Sequence, residues 1–430
     1  MQHLARRSFG LVARRGYETN AAGNIEIPKE RLLQLIRCEA TTMASMESTQ
    51  LSVNNLLKLW DQPSINALKL STKFLYHELP IRYAVRTKEL EMAPSWMKTK
   101  NFEEVLQLYA KSFEELRMMQ EPTDAEGLFK FEQLLLTIKR RQAGVVPMLG
   151  AVVHEVRSQG LLDSTKHTKY INDYLNQFFT SRISSELLVS QHLALHQAVH
   201  DSDSRFNTDK TRAGLLHKSC KPAEIIEDAA EHATRLCDRQ FGQAPEIRMR
   251  GHLGAALPYF PDQLYYISFE LIKNAMRAIT EFHADKSVLP PVTITIACPS
   301  DSDSLGIMVE DEGGGIPLHM LHKVWQYSFT TVKKQKIEES LAHAQADGGT
   351  GLYMVSDSDT RADPLAGLGF GLPLARLYAQ AFGGQLKLMS LAGHGTNAYL
   401  HLDRTGNVIR TGSTRHHTLK YVEVESQFPH

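Results

Sequence analysis

Glu270, Asn274 and Arg277 stand at i, i+4 and i+7 within residues 266–280, Tyr-Ile-Ser-Phe-Glu-Leu-Ile-Lys-Asn-Ala-Met-Arg-Ala-Ile-Thr. At 3.6 residues per turn this spacing predicts a helix that carries all three on one face. Leu271, Ile272, Ala275, Met276 and Ile279 fill much of the remaining circumference. An acid, an amide and a guanidinium aligned on an otherwise apolar helix are expensive to bury without a purpose. Taken alone, the stripe reads equally well as a site or as a polar face turned to solvent.

Two glycine clusters follow. Ser304 to Glu310 alternates as a strand with Leu305, Ile307 and Val309 on one face, and runs into Asp311-Glu-Gly-Gly-Gly-Ile-Pro317. Consecutive glycines leave the backbone free to take positive φ and to approach a ligand closely. An aspartate at the strand end can accept a hydrogen bond from a base amino group, although a strand-terminating turn accounts for the same residues. The second cluster, Gly367-Leu-Gly-Phe-Gly-Leu-Pro373, leads into a helix expected over Leu374–Phe382. Glycines before a helix N-terminus build an anion cradle from free N–H groups and the helix dipole. The spacing does not fit a dinucleotide fingerprint, and neither a Walker A motif nor the signatures of ordinary protein kinases occur.

The elements that must position these residues divide the chain in two. From residue 27 to 200 the periodicity is helical: Leu134, Leu135, Ile138, Val145, Met148, Leu149, Val152 and Val156 recur at three- and four-residue steps. Pro147 inside that run predicts a kink or a split into two helices. Phe102–Met119 and Tyr170–Leu195 repeat the pattern, so a helical bundle is expected over 27–200. His154-Glu-Val-Arg157 imitates a histidine phosphoacceptor box but continues into Ser158-Gln-Gly160 rather than a proline, and reads as a surface histidine. Residues 201–222 are polar and mixed in sign, as an interdomain connection. Beyond them, Pro222–Phe241 reads as a helix, and Val292–Ala297, Gly384–Ser390 and Gly395–Leu402 alternate as strands.

Lys+Arg and Asp+Glu number 48 each, so no global field favours nucleic acid or an anionic membrane, and neither is expected as a partner. With 430 residues the chain can bury the cores of two or three domains, and no apolar run is long enough to span a bilayer. Four scattered cysteines form no C-x-x-C pair and point to a reducing compartment. Residues 1–17 differ: Arg6, Arg7, Arg14 and Arg15 occur with no acid before Glu18, and Leu4, Leu11 and Val12 gather on one side of a helical wheel. That composition is expected of a mitochondrial presequence, which places the protein in the mitochondrial matrix.

Helix with Glu-x-x-x-Asn, strand with Asp-x-Gly-x-Gly, long loop, Gly-x-Gly-x-Gly with helix and closing strands: as an ordered set this resembles the ATP-binding fold of histidine kinases, type II topoisomerases, Hsp90 and MutL. Glu270-Leu-Ile-Lys-Asn-Ala-Met-Arg-Ala278 and Gly369-Phe-Gly-Leu-Pro373 resemble the mitochondrial 2-oxoacid dehydrogenase kinases. Glu78-Leu-Pro-Ile-Arg82, Thr180-Ser-Arg-Ile183 and Gln191-His-Leu-Ala-Leu-His196 are similar to the helical half of that family. The resemblance implies an N-terminal helical bundle followed by a histidine-kinase-like ATP-binding α/β sandwich, a mixed sheet with helices on one face, over residues 223–405. It implies ATP and Mg²⁺ as cofactors, with K⁺ a further candidate. Glu270 would be the general base toward a substrate serine, and Asn274 would ligate the Mg²⁺ that bridges the phosphates. Lys273 and Arg277 would support the phosphates or the base. Asp311 would receive the adenine amino group, with Gly313 and Gly315 admitting the base and Thr396 nearby. Thr330 and Thr331 would contact nucleotide; Gly367, Leu368, Gly369, Phe370, Gly371 and Leu372 would wrap the phosphates; 332–366 would form the ATP lid; and 406–430 a C-terminal tail.

The same resemblance implies a serine kinase of a dehydrogenase E1α subunit, docked through the E2 lipoyl domain by the bundle, and a homodimer. The absence of tryptophan after Trp325 removes the Asp-Trp tail contact known in animal members. Tyr266 and Phe329-Thr-Thr331 look more like the branched-chain enzyme, whereas Asp311-Glu-Gly-Gly-Gly-Ile and Leu372–Tyr378 followed by Gly-Gly resemble pyruvate dehydrogenase kinases of plants and fungi. Pyruvate dehydrogenase is the expected substrate complex, with the branched-chain complex as the alternative and a non-catalytic ATP-binding regulator as a remoter one.

Overall fold

A computed structural model describes residues 29–49, 63–201, 212–299, 304–327, 329 and 369–403. The expectations placed on 1–17, 332–366, 406–430, Thr330, Thr331, Gly367 and Leu368 lie outside these residues.

The N-terminal half is helical: α1 (Lys29–Met43), α2 (Ile65–Glu91), α3 (Lys100–Met118), α4 (Ala125–Arg141), α5 (Val145–Ser158) and α6 (Thr165–His200). Side chains written in the sequence set three of the starts. Ser64 accepts from Ala67 N, Thr99 from Phe102 N and Asp124 from Gly127 N, each satisfying a donor left over by the first turn. The run containing Pro147 is split: α4 ends at Arg141 and α5 begins at Val145, which leaves the proline in the first turn, where its missing N–H costs nothing. The buried charges of the bundle are paired. Arg82 donates to Glu78 Oε1 (2.7 Å) and Ser184 Oγ (2.9 Å), and Arg182 donates to the Gln142 carbonyl (3.0 Å) and lies 3.2 Å from Glu186.

The connection expected over 201–222 carries structure in its described part. Strands β1 (Arg212–Ala213) and β2 (Leu216–Cys220) form a hairpin that pairs with β4 (Leu257–Tyr259) in a small antiparallel sheet. The Gln191 amide on α6 holds it, donating to the Ala213 carbonyl (2.7 Å) and accepting from Leu215 N (2.9 Å). These strands escape a sequence reading because β1 is too short to alternate and the side chain that anchors the hairpin, Gln191, is far away in sequence.

The C-terminal half is a five-stranded mixed sheet in the order β3 (Ile247–Gly251), β5 (Val292–Ala297), β6 (Ser304–Asp311), β8 (Gly395–Asp403), β7 (Gln385–Leu391). The β3–β5 pair is parallel and the others are antiparallel. Helices α7 (Pro222–Phe241), α8 (Pro261–Phe282) and α9 (Gly371–Ala381) cover one face. Val292, Ile294, Ile296, Leu305, Ile307 and Val309 from the strands and Ile272, Met276 and Ile279 from α8 are buried in that layer. Burial of each such side chain contributes on the order of 1.5–3 kcal/mol. Arg248, Arg250, Lys387, Met389 and His401 are exposed on the opposite side of the sheet. The layers are those implied by the resemblance. No helix among the described residues is long and apolar enough to cross a membrane.

Candidate nucleotide and phosphoryl-transfer site

The site lies where α8, the end of β6 and the start of α9 converge. Tyr266, Glu270 and Asn274 recur every four residues on α8 and form one stripe. Glu270 is 3 % exposed and Asn274 is exposed. A buried carboxylate needs a counter-charge, and Lys273 supplies it: its Nζ donates to Glu270 Oε1 at 2.7 Å. A Cβ at Gly371 would collide with the other oxygen, Oε2, so the first residue of α9 must lack a side chain for the carboxylate to sit there.

Arg277, expected to support the phosphates or the base, has a partner on its own helix. Its Nε donates to Glu281 Oε1 at 2.7 Å, one turn further along α8. The wheel puts Arg277 near the Glu270 face, but a partner four residues on competes for the guanidinium.

Register fixes the second part of the site. Asp311 ends β6 opposite Thr396 on β8. The Asp311 carboxylate accepts from Gly313 N (2.8 Å) and Thr396 N (3.3 Å), both on Oδ1. Burial pushes its pKa above the usual carboxylate range, and those two N–H groups pull it part of the way back. Gly313 rests on the α8 backbone, where an added Cβ would lie 2.7 Å from the Ala278 carbonyl carbon. Gly315 has φ +68°, a conformation that side chains rarely adopt. The sequence gives no sign of Ser390, which ties these pieces together: its hydroxyl accepts from Ile316 N (2.7 Å) and pairs with Thr396 Oγ1 (2.8 Å).

The third part is the start of α9. The helix begins at Gly371, with no side-chain cap on its first-turn N–H groups. Those donors, with Gly369 in a left-handed conformation (φ +79°) and Gly371 carrying no side chain, fit a phosphate. Leu372 is half-buried. The Phe370 ring, by contrast, is fully buried against Phe179 of α6 and Tyr327, with centroids 5.9 and 5.0 Å away, so only its backbone is left for the cradle. Asn172 and Asn176 on α6 accept from Tyr327 N (2.8 Å) and Tyr327 Oη (3.0 Å). Bundle residues thus hold the ground on which the glycine segment stands.

Among the described residues no group of three His, Cys, Asp or Glu side chains is arranged to hold a metal. A single exposed amide, Asn274, suits a Mg²⁺ that takes most of its ligands from phosphates and water. A half-buried aspartate at a strand end, an uncapped glycine-led helix start and an amide beside a buried carboxylate fit a magnesium–nucleotide with an acceptor group.

Comparison with known proteins bears on both halves of the chain. Residues 50–217 match the family described as mitochondrial branched-chain alpha-ketoacid dehydrogenase kinase, and residues 260–406 match the histidine kinase-, DNA gyrase B- and HSP90-like ATPases. A mitochondrial pyruvate dehydrogenase (acetyl-transferring) kinase of Arabidopsis thaliana is 33 % identical over 367 residues, covering 84 % of this chain and 92 % of the relative. Isozyme 1 of the human kinase is 32 % identical over 80 % of this chain and 75 % of its own length. Isozyme 4 from Rhinolophus ferrumequinum is 30 % identical over 86 % and 84 %. With the helical half and the ATPase half both matched and relatives 30–33 % identical over most of the chain, the chain belongs to the mitochondrial 2-oxoacid dehydrogenase kinase family.

Proposed function

We propose that this protein is an ATP-dependent protein-serine kinase of the mitochondrial matrix that phosphorylates the E1α subunit of pyruvate dehydrogenase and thereby inactivates the complex. The observation that carries the chemistry is the placement of Glu270, buried and ion-paired through one oxygen, with its other oxygen at the glycine start of α9. The target follows from the relatives, which are named pyruvate dehydrogenase kinases.

In this reading Glu270 Oε2 takes the proton of a serine hydroxyl as the serine oxygen bonds to the γ-phosphorus and the bond to the β-bridging oxygen breaks, releasing ADP. A positioned base contributes on the order of 10²–10⁴ in rate. Asn274 would hold Mg²⁺, which would neutralise charge on the phosphates. The N–H groups at 369–372 orient those phosphates, joined by Gly367, Leu368, Thr330 and Thr331. Asp311, Gly313, Gly315 and Thr396 receive the adenine. Positioning and charge neutralisation are the main demands of phosphoryl transfer, so this set suffices.

Family membership supports docking through the E2 lipoyl domain by the bundle (27–200), and the same argument gives the kinase domain 223–405 its lid at 332–366. A homodimer has support in the sheet face and β7 edge that no described residue covers, where Met389 and Leu391 are 64 % and 66 % exposed. The branched-chain complex is the second reading, favoured by the description of the family matched over 50–217.

Incubation of the full-length protein with γ-labelled ATP and the two purified dehydrogenase complexes, side by side, tests the proposal. Label enters pyruvate dehydrogenase E1α; label entering only the branched-chain E1 would replace the first reading with the second.

A further inference from the structure

Lys273 lies on the flank of Glu270 opposite Asn274. At about 100° per residue along a helix, Asn274 lies roughly 40° to one side of Glu270 and Lys273 roughly 60° to the other. The amide and the ammonium therefore bracket the carboxylate. The lysine side chain is 18 % exposed and that of the glutamate 5 %, so their ion pair is largely withdrawn from water. On its far side the ammonium lies 5.0 Å from the centroid of the Phe269 ring. Phe269 is itself wedged: His232 of α7 stacks on it with centroids 4.7 Å apart and 26° between planes, and His232 Nδ1 is 2.8 Å from the Tyr265 hydroxyl. Tyr265 lies parallel to Phe269 at 6.2 Å, completing an aromatic stack along the α7–α8 seam.

Resting on the kinase reading above, we infer that Lys273 is a positioning residue for the base and not a phosphate ligand, and that Phe269 and His232 fix it in place. Cation–π attraction holds the ammonium against the ring face, and it strengthens where water is excluded. Oε1 is held in this clamp, and Oε2 is the oxygen that lies at the Gly371 position. Removing the ammonium takes a counter-charge away from a carboxylate that is largely withdrawn from water, which loosens its position. His232 and Phe269 touch neither nucleotide nor acceptor in this scheme and act only through the lysine.

The test uses full-length protein and measures two quantities: the single-turnover rate of transfer to E1α at saturating ATP, and the Kd for ATP. Lys273→Met slows transfer by about 10²-fold and leaves the ATP Kd within about twofold, while Lys273→Arg recovers part of the rate. Phe269→Leu slows transfer about three- to tenfold with unchanged Kd, and Phe269→Tyr recovers it. His232→Ala follows Phe269→Leu, and His232→Phe, which keeps a ring in the stack, recovers the rate. Melting temperatures confirm that the conservative variants are folded, so the Phe269 and His232 pairs decide the matter even if Lys273→Met unfolds. A tenfold weaker ATP Kd in Lys273→Met with an unchanged transfer rate makes the lysine a phosphate ligand and overturns the inference, as do unchanged rates in Phe269→Leu and His232→Ala. Failure of the wild-type protein to transfer phosphate to either E1 overturns the kinase reading and this inference together.

Discussion

Gly371 shows how much a single missing side chain can decide. It is the first residue of α9 and the last glycine of its cluster, and a methyl group there would occupy the position of Glu270 Oε2. Gly371→Ala must push the carboxylate off that position. A misplacement of about 1 Å in a reacting group costs on the order of 10² in rate. The expected result is a kcat lower by about two orders of magnitude with little change in melting temperature, measured by steady-state transfer to E1α and thermal unfolding. At this scale the sequence is informative about residue types and poor about their partners. Glu270, Asn274, Asp311 and the glycines stand out because their spacing is unusual. Which cation serves the base does not: Arg277 and Lys273 both fall within reach on a helical wheel, and only the pairing of Arg277 with Glu281 and of Lys273 with Glu270 separates them.

Helices and strands with a clear period were legible nearly to the residue, Val292–Ala297 and Pro222–Phe241 among them. Helix α9 was not, since it starts at Gly371 rather than Leu374. Pro373 looks like a stop before the helix, yet in a first turn its missing N–H has no intrahelical partner to lose, and its fixed φ favours the helix. Between elements, the seam of α2 and α6 carries a buried pair, Ser71 Oγ and His192 Nδ1 at 2.8 Å. Burial lowers the His192 pKa from 6.5 to about 3, with the nearby His196 adding to the shift. The folded state keeps this imidazole neutral, while the unfolded chain protonates it below about 6.5. The stabilisation is therefore complete above about pH 6.5 and is lost progressively as pH falls toward 3. In that window each pH unit costs up to ~1.4 kcal/mol from this residue. Melting temperature should fall between pH 7 and pH 5, and His192→Gln, which cannot charge, should show a shallower fall from a lower starting value. Parallel slopes would assign the acid sensitivity elsewhere.

Across the whole molecule, the two halves meet in an aromatic cluster that no periodicity announces. Phe179 of α6, Tyr327 and Phe370 pack within 6 Å of one another, centroid to centroid, and Asn172 and Asn176 hold the Tyr327 backbone and hydroxyl. The cluster joins residues about 150 to 190 apart in sequence, and a single sequence without pairing information cannot indicate such contacts. The layered architecture was legible because it depends on local pattern, whereas the way the bundle supports the glycine segment depends on these distant contacts. The account as a whole turns on Glu270 acting as the base of a serine kinase. Its most direct test is phosphate transfer from labelled ATP to pyruvate dehydrogenase E1α by wild-type protein and by Glu270→Gln, with ATP binding titrated in parallel. Transfer reduced by about 10²–10⁴ with ATP affinity nearly unchanged is the predicted result. Glu270→Gln that transfers phosphate at the wild-type rate would contradict it.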